Sequence, residues 1–283
     1  MIRVVAPAKL NLSLEVLSKS EDGYHEIRSL MQAIELFDIL TLEQSETDDV
    51  DLYCSDKALS NTDNLVFRAA ALLKEEYGVS KGARLKLVKH IPEAGGMGGG
   101  SSDAAAAIKG LNELWDLKLS QHEMAGLGAR LGSDVPFFVY GGTAVVAGRG
   151  ETITPVPRGP TAWVVLLFPP IQKLDGKTAK LYAQLKGHSF TSGEHTESLV
   201  DFLQRGEAIP QACLFNAFES SALQAFDGLK RYWDVAQKTA GQQLHLAGSG
   251  PTLFAWCADE ARAATTHTRL EKGKLNGIIA RTL

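Results

Sequence analysis

Apolar and polar residues change rhythm along the 283-residue chain often enough to outline most of its elements. Residues 3–16 mix β-branched and polar side chains as a strand does, with an interruption expected at Ala6-Pro7-Ala8. Between 26 and 42 apolar residues recur at close intervals (Ile27, Leu30, Ile34, Leu36, Ile39, Leu42), which predicts a strand. A helical period then takes over. Leu65, Ala69, Leu72 and Leu73 share one side of a helix over 64–77, with Gly78 as its stop. Residues 84–89 alternate charge with leucine and predict a half-buried strand. After a glycine-dense stretch, Ala104, Ala107, Ile108, Leu111 and Trp115 resume the helical period, with Ser101, Ser102 and Asp103 as the residues expected at its start. Ser120 and Glu123 have capping-box spacing for a helix through 131, which residues 132–136 end. Residues 143–147 read as a strand between glycine pairs.

Pro155, Pro157 and Pro160 mark the best hinge, dividing the chain into expected domains 1–155 and 156–283. Beyond it, 163–168 reads as a buried strand, followed by helical stretches near 177–186, 196–204, 216–226 and 229–239. Short strands at 244–247 and 252–257, a helix at 260–271 and a strand at 275–280 complete the pattern. Mixed order rather than βαβ alternation makes the fold class α+β.

Composition narrows the function. Lys+Arg 29 against Asp+Glu 33 gives a net charge of −4 with no basic block, which argues against nucleic acid as a partner. Cys54, Cys213 and Cys257 have no metal-ligand spacing, so no metal site is expected, and their sparse, odd number suits a reducing compartment. The longest strongly apolar run, 162–170, falls far short of the ~20 residues of a bilayer span, and the N-terminus lacks a signal-peptide core. A cytoplasmic protein without a membrane partner is expected. Glycine is the unusual residue. Of 27 glycines, 13 lie within 95–150, and five of those fall in 95–100.

That cluster sits between a predicted strand and a predicted helix. Glycines let backbone N–H groups approach an anion and adopt positive φ, and the helix start adds unpaired donors and a favourable dipole. The loop is neither a Walker loop, since no lysine follows its last glycine, nor a dinucleotide fingerprint, since the spacing differs. An anion-binding cradle is the better reading. The other segments say less when taken singly. Lys9 and Asn11 project from one strand face, Asp134 lies between a helix end and a Pro-Phe-Phe run, Gly23-Tyr24-His25 could stack on a ring and bond its edge, and Gly248-Ser249-Gly250-Pro251-Thr252 is a second tight turn.

Taken together and in order, these segments are similar to the 4-diphosphocytidyl-2-C-methyl-D-erythritol kinase family of the GHMP small-molecule kinases. The resemblance runs from residue 6 to about residue 255 and rests on 7–12, 23–25, 95–105, 131–138 and 248–252. It implies a two-domain α+β fold, the first domain like domain 2 of ribosomal protein S5 and the second ferredoxin-like, with the active site in the cleft between them. It also implies ATP-dependent phosphorylation of the substrate's 2-hydroxyl in non-mevalonate isoprenoid biosynthesis, with ATP and Mg²⁺ as cofactors and a monomer or weak homodimer as the assembly.

Carried over residue by residue, the resemblance makes Lys9 and Asp134 the catalytic pair. Pro92, Glu93, Ala94, Gly95, Gly96, Met97, Gly98, Gly99, Gly100, Ser101 and Ser102 would hold the ATP phosphates, with Asn64 and Leu65 near the adenine. Asn11, Tyr24, His25 and Asp134 would bind the substrate, Tyr24 against the cytosine face and His25 at its edge, with Phe190 as a second aromatic. A secondary alcohol does not ionise near neutral pH, so a carboxylate able to accept its proton suits this chemistry. The sequence departs from the family pattern in having Met97 for a usual Leu, Ala217 for Asp and Ala247 for Ser, and 187–195 matches poorly. Two rivals are a sister kinase for homoserine, mevalonate or a sugar, and a nucleotide sensor without catalysis. Gly23-Tyr24-His25 argues against the first and the intact Lys9 and Asp134 against the second.

Overall fold

The computed structural model describes residues 1–172, 174–185 and 187–283. The first half runs through β1 (Ile2–Asn11), β2 (Ser13–Lys19), β3 (His25–Gln44), β4 (Val50–Cys54), α1 (Leu65–Tyr77), β5 (Ala83–Val88), α2 (Gly99–Leu114), α3 (Gln121–Leu131), α4 (Val135–Tyr140), β6 (Thr143–Gly148) and β7 (Thr152–Pro155). The second half contains β8 (Trp163–Leu167), α5 (Lys177–Gln184), α6 (Glu194–Gln204), β9 (Phe215–Asn216), α7 (Glu219–Ala225), α8 (Leu229–Ala240), β10 (His245–Leu246), β11 (Leu253–Cys257), α9 (Glu260–Lys272) and β12 (Gly277–Arg281).

Strand β3 is the spine of the first sheet. Its 20 residues pair antiparallel with β1, β2, β5 and β6 at different points along its length. The second sheet has the order β10-β11-β8-β12. The halves interlock, because β9 pairs in parallel with β2 and an antiparallel bridge links Ile34 to Thr282. Glu15, fully buried on β2, accepts bonds from the backbone N–H and the hydroxyl of Thr196 at 2.8 and 2.7 Å, which fixes the start of α6.

Helix α2 carries the buried run Ala104, Ala105, Ala106, Ala107, Ile108 and Leu111. Small side chains let it lie close to the sheet. At Gly110 an added Cβ would stand 2.5 Å from a Leu42 methyl. This close approach brings the first turn of α2 beside β1, where Lys9 N–H donates to the Met97 carbonyl at 3.0 Å.

The helix signals hold at α1 and α3. Asn64 accepts from Val66 N–H at 2.9 Å, Gly78 ends α1 in the left-handed region, and Ser120 with Glu123 forms a full capping box. The interruption near the N-terminus differs from expectation. Residues 6–8 remain within β1 as an irregularity between Pro7 and Ala8, and the break comes at Leu12. Helix α2 starts at Gly99, ahead of Ser101, Ser102 and Asp103, none of which caps it. Gly98 at φ 72° turns the chain into the helix instead, in a position where a Cβ would lie 2.8 Å from the Phe138 ring. Helix α4 and strands β4 and β7 escaped the pattern altogether. The helix expected over 216–226 begins only at Glu219, because Phe215 and Asn216 pair with β2.

Candidate active site

A cleft of about 1120 Å³ opens where β1, the glycine loop, the start of α4, the start of α5 and the Gly248–Pro251 turn converge. It brings together most of the residues that the sequence marks out.

Lys9 and Asn11 do share a strand face, and Lys9 Nζ lies 2.6 Å from Asn11 Oδ1. Asn11 in turn donates to Ser29 Oγ at 2.8 Å, so a buried chain of bonds orients the ammonium. Its other neighbour is Asp134, whose Oδ2 is 3.4 Å away. Asp134 precedes α4 without capping it, and its side chain is 31% exposed against 5% for Lys9, so the carboxylate faces the cleft.

The glycine loop is held from both sides. Ala94, Gly96 and Gly98 have φ of 56°, 86° and 72°, and Thr252 N–H donates to the Gly95 carbonyl at 3.3 Å. At Gly96 an added Cβ would stand 2.0 Å from the Ala247 carbonyl oxygen. The loop and the second glycine turn therefore touch backbone to backbone. The entry to the loop is fixed by Asp38, buried on β3, which accepts from the N–H groups of His90 and Ile91 at 2.5 and 2.9 Å. Lys89 spans Asp38 and Asp103 at 2.5 Å each and so ties the end of β5 to the first turn of α2. Burial, reinforced by the Asp38 charge, pushes the Asp103 carboxyl above the usual carboxylate range despite the ammonium beside it. Helix α2 adds the unpaired N–H groups of its first turn. The result is a main-chain cradle with a positive dipole end, suited to phosphate.

Loop residues 92–101, Asn64 and Leu65 all line this cleft, as do Tyr24 and His25. Ser102 does not. It is buried on α2, and its hydroxyl has no bonding partner among the described residues. Phe190 lies outside the lining and meets His25 only edge-on, with ring centres 6.2 Å apart. The closer aromatic is Tyr182 of α5, stacked on His25 at 4.5 Å. Burial, then the Lys19 charge, holds the His25 imidazole below its usual range, while burial and Asp134 push the Tyr182 phenol up to about 12. Tyr24 is 58% exposed, with the Arg149 guanidinium 4.1 Å above its ring and Asp22 bonded both to that guanidinium and to Tyr24 N–H. Sequence reasoning did not find Tyr182, Arg149, Lys89 or Lys177. Only contacts across the fold reveal them.

Comparison with known proteins agrees with this geometry. The model of the GHMP kinases N terminal domain matches residues 64–142. A 4-diphosphocytidyl-2-C-methyl-D-erythritol kinase of Dehalococcoides mccartyi is 44% identical over 96% of this chain and 95% of its own. The chain belongs to the 4-diphosphocytidyl-2-C-methyl-D-erythritol kinase family. Within that family, the enzyme of that name from Geobacillus thermodenitrificans is 39% identical over 95% of the chain and 92% of its own length. A crystal structure of 4-(cytidine 5'-diphospho)-2C-methyl-D-erythritol kinase superposes with a TM-score of 0.82 at 30% identity, covering 99% of both chains. A homoserine kinase from Cytophaga hutchinsonii, at 18% identity and a TM-score of 0.78, shares the fold. This family member is thus an ATP-dependent kinase with the α+β GHMP fold. Among the described residues no helix is long and apolar enough to cross a membrane.

Proposed function

We propose that the protein transfers the γ-phosphoryl group of ATP to the 2-hydroxyl of 4-diphosphocytidyl-2-C-methyl-D-erythritol, giving the 2-phosphate and ADP. This is a step of non-mevalonate isoprenoid biosynthesis. One observation carries the reading: in a chain of this family, Lys9 and Asp134 face the glycine loop across one cleft that also holds Tyr24 and His25.

In this reading residues 92–101 and the first turn of α2 bind the triphosphate, with Asn64 and Leu65 near the adenine. Tyr24 and Tyr182 supply ring faces for the cytosine, His25 its edge contact, and Asn11 orients Lys9. The hydroxyl oxygen bonds to the γ-phosphorus, the bond from that phosphorus to the β–γ bridging oxygen breaks, and the hydroxyl proton passes to Asp134. Lys9 stabilises negative charge on the group in transit. Mg²⁺ that arrives on ATP takes most of its oxygens from phosphates and water and needs only one or two from protein. Ser101 and Asp134, both in the lining, can provide them, and the ion would neutralise charge on the phosphates.

The reading also divides the chain into functional domains 1–155 and 156–283. It makes the protein a cytoplasmic monomer or weak homodimer without a nucleic-acid partner, in keeping with its net charge of −4. The test is ADP release with Mg·ATP in the presence and absence of the cytidyl substrate. Substrate-dependent release is expected, with Asp134→Asn lowering kcat by ~10²- to 10⁴-fold in protein that still melts cooperatively. Equal release from homoserine or mevalonate, or full turnover by Asp134→Asn, would overturn the assignment.

A further inference from the structure

Lys177, the first residue of α5, reaches across the cleft from the second half of the chain. Its ammonium donates at 2.5 Å to the carbonyl of Ala94, in the glycine loop, and also to the carbonyl of Gly250, in the facing turn. The next residue, Thr178, donates to Ser249 Oγ at 3.1 Å and holds the start of α5 against the same turn. Lys177 lines the cleft with Lys9 and Asp134, yet no carboxylate pairs with it among the described residues. Two neutral carbonyls are its only bonded partners there, and its residue opens α5, at the positive end of that helix. Burial, reinforced by the Lys9 charge and opposed by Asp134, lowers the ammonium to about 8. A desolvated cation without a counter-charge is costly unless something else supplies the anion. Around it stand Lys9 on β1, Asp134 before α4, the Ala94 and Gly250 carbonyls and the Ser249 hydroxyl. The negative charge these provide is one carboxylate, already beside Lys9.

We propose that Lys177 is a second phosphate-binding cation of the cleft, whose ammonium exchanges a carbonyl partner for an oxygen of the phosphoryl group in transit. This deepens the kinase reading and rests on it. Lys9 would approach the transferring group from β1 and Lys177 from α5, so that both halves of the chain contribute charge to one anion. A purely structural strut between the two turns is the competing role, and charge distinguishes the two. The Lys177→Gln amide keeps two N–H donors but carries no charge, whereas Lys177→Arg keeps the charge in a different shape.

The experiment measures kcat and KM for ATP in the wild type, Lys177→Gln and Lys177→Arg, with melting temperatures as the folding control. We expect Gln to lower kcat by ~10- to 100-fold with KM for ATP changed less than threefold, and Arg to recover most of the loss. Wild-type kcat in Gln, or equal losses in Gln and Arg, would leave only the strut. A second measurement on unaltered protein covers the case in which Gln does not fold: acetic anhydride labelling of lysines with and without tripolyphosphate. Tripolyphosphate should reduce acetylation of Lys177 several-fold, and an unchanged fraction overturns the proposal. Failure of the wild type to release ADP with the cytidyl substrate would count against the kinase reading itself.

Discussion

Gly96→Ala should unseat the glycine loop, and the structure sets the size of the effect. A Cβ at this position would stand 2.0 Å from the Ala247 carbonyl oxygen and 2.8 Å from Gly250 N, both main-chain atoms of the facing turn. No rotamer change can relieve that overlap, so one of the two turns must move. Overpacking of this kind costs about 1–3 kcal/mol. The φ of 86° adds about 1–2 kcal/mol once a side chain is present. Stiffening of the unfolded chain returns at most about 1 kcal/mol. The net is roughly 1–4 kcal/mol, or a fall in melting temperature of about 2–16 °C at 2–4 °C per kcal/mol. Gly100→Ala is the control. It lies in the first turn of α2 with only a Leu65 methyl nearby, at 3.9 Å from the added atom. Alanine is the better helix former there by about 0.5–1 kcal/mol, so its melting temperature should hold or rise. Scanning fluorimetry without nucleotide reads both variants. If Gly96→Ala melts within 2 °C of wild type, or if the two variants fall together, the backbone contact between the turns does not hold the loop.

Two further outcomes follow from the titrating groups of the cleft. Lys177 has a folded value of about 8 against 10.5 as its ordinary one, so between those limits the folded protein holds fewer protons than the unfolded chain and its stability climbs with pH. Lys177→Met should therefore lose ground against the wild type by about 3 kcal/mol between pH 7 and pH 10.5, read by urea denaturation at each pH, and a constant difference would show that the ammonium is not desolvated. His25 is held below its usual value by burial and then by Lys19, so its ring takes up a proton at lower pH than a free imidazole does. KM for the cytidyl substrate should rise on acidification with a midpoint below that of a free imidazole, and the rise should be absent in His25→Gln. A rise with its midpoint at or above that of a free imidazole, or one that persists in Gln, removes His25 from substrate recognition.

The sequence made local signals legible and left the long-range ones hidden. Asn64, Gly78 and the Ser120–Glu123 pair act within four residues of the helix ends they mark, so each could be read in place. Lys9 and Asn11 are two apart on a strand, and the pleat alone puts them on one face. Helix α4 could not be seen, because Val135 to Val139 are all buried and an element covered on every side has no polar face to reveal its period. The start of α2 was misplaced for a related reason. Ser101, Ser102 and Asp103 have the composition of caps, but left-handed Gly98 makes the turn, and Asp103 is drawn to Lys89 instead. Lys177 and Tyr182 enter the site only because α5 packs back across the cleft. No spacing within 177–182 distinguishes them from an ordinary amphipathic face.

Glycine, the residue whose excess stood out in the composition, has a task that only the paired turns explain. A Cβ at Gly96 would strike the Ala247 carbonyl, and one at Gly248 would lie 2.5 Å from the Gly96 carbonyl and 3.2 Å from Lys9 Nζ. The requirement is thus reciprocal: each turn needs glycine because the other's backbone occupies the space where a side chain would go. The contact joins the two halves of the chain 150 residues apart, and the same two turns offer the carbonyls that hold Lys177. A glycine-rich loop in isolation would bind phosphate at the cost of ordering itself each time. Pinned by Asp38 at its entry, by Gly248–Pro251 along its length and by α2 at its exit, the loop is already shaped, so in the proposed reading binding energy can go to the transferring group.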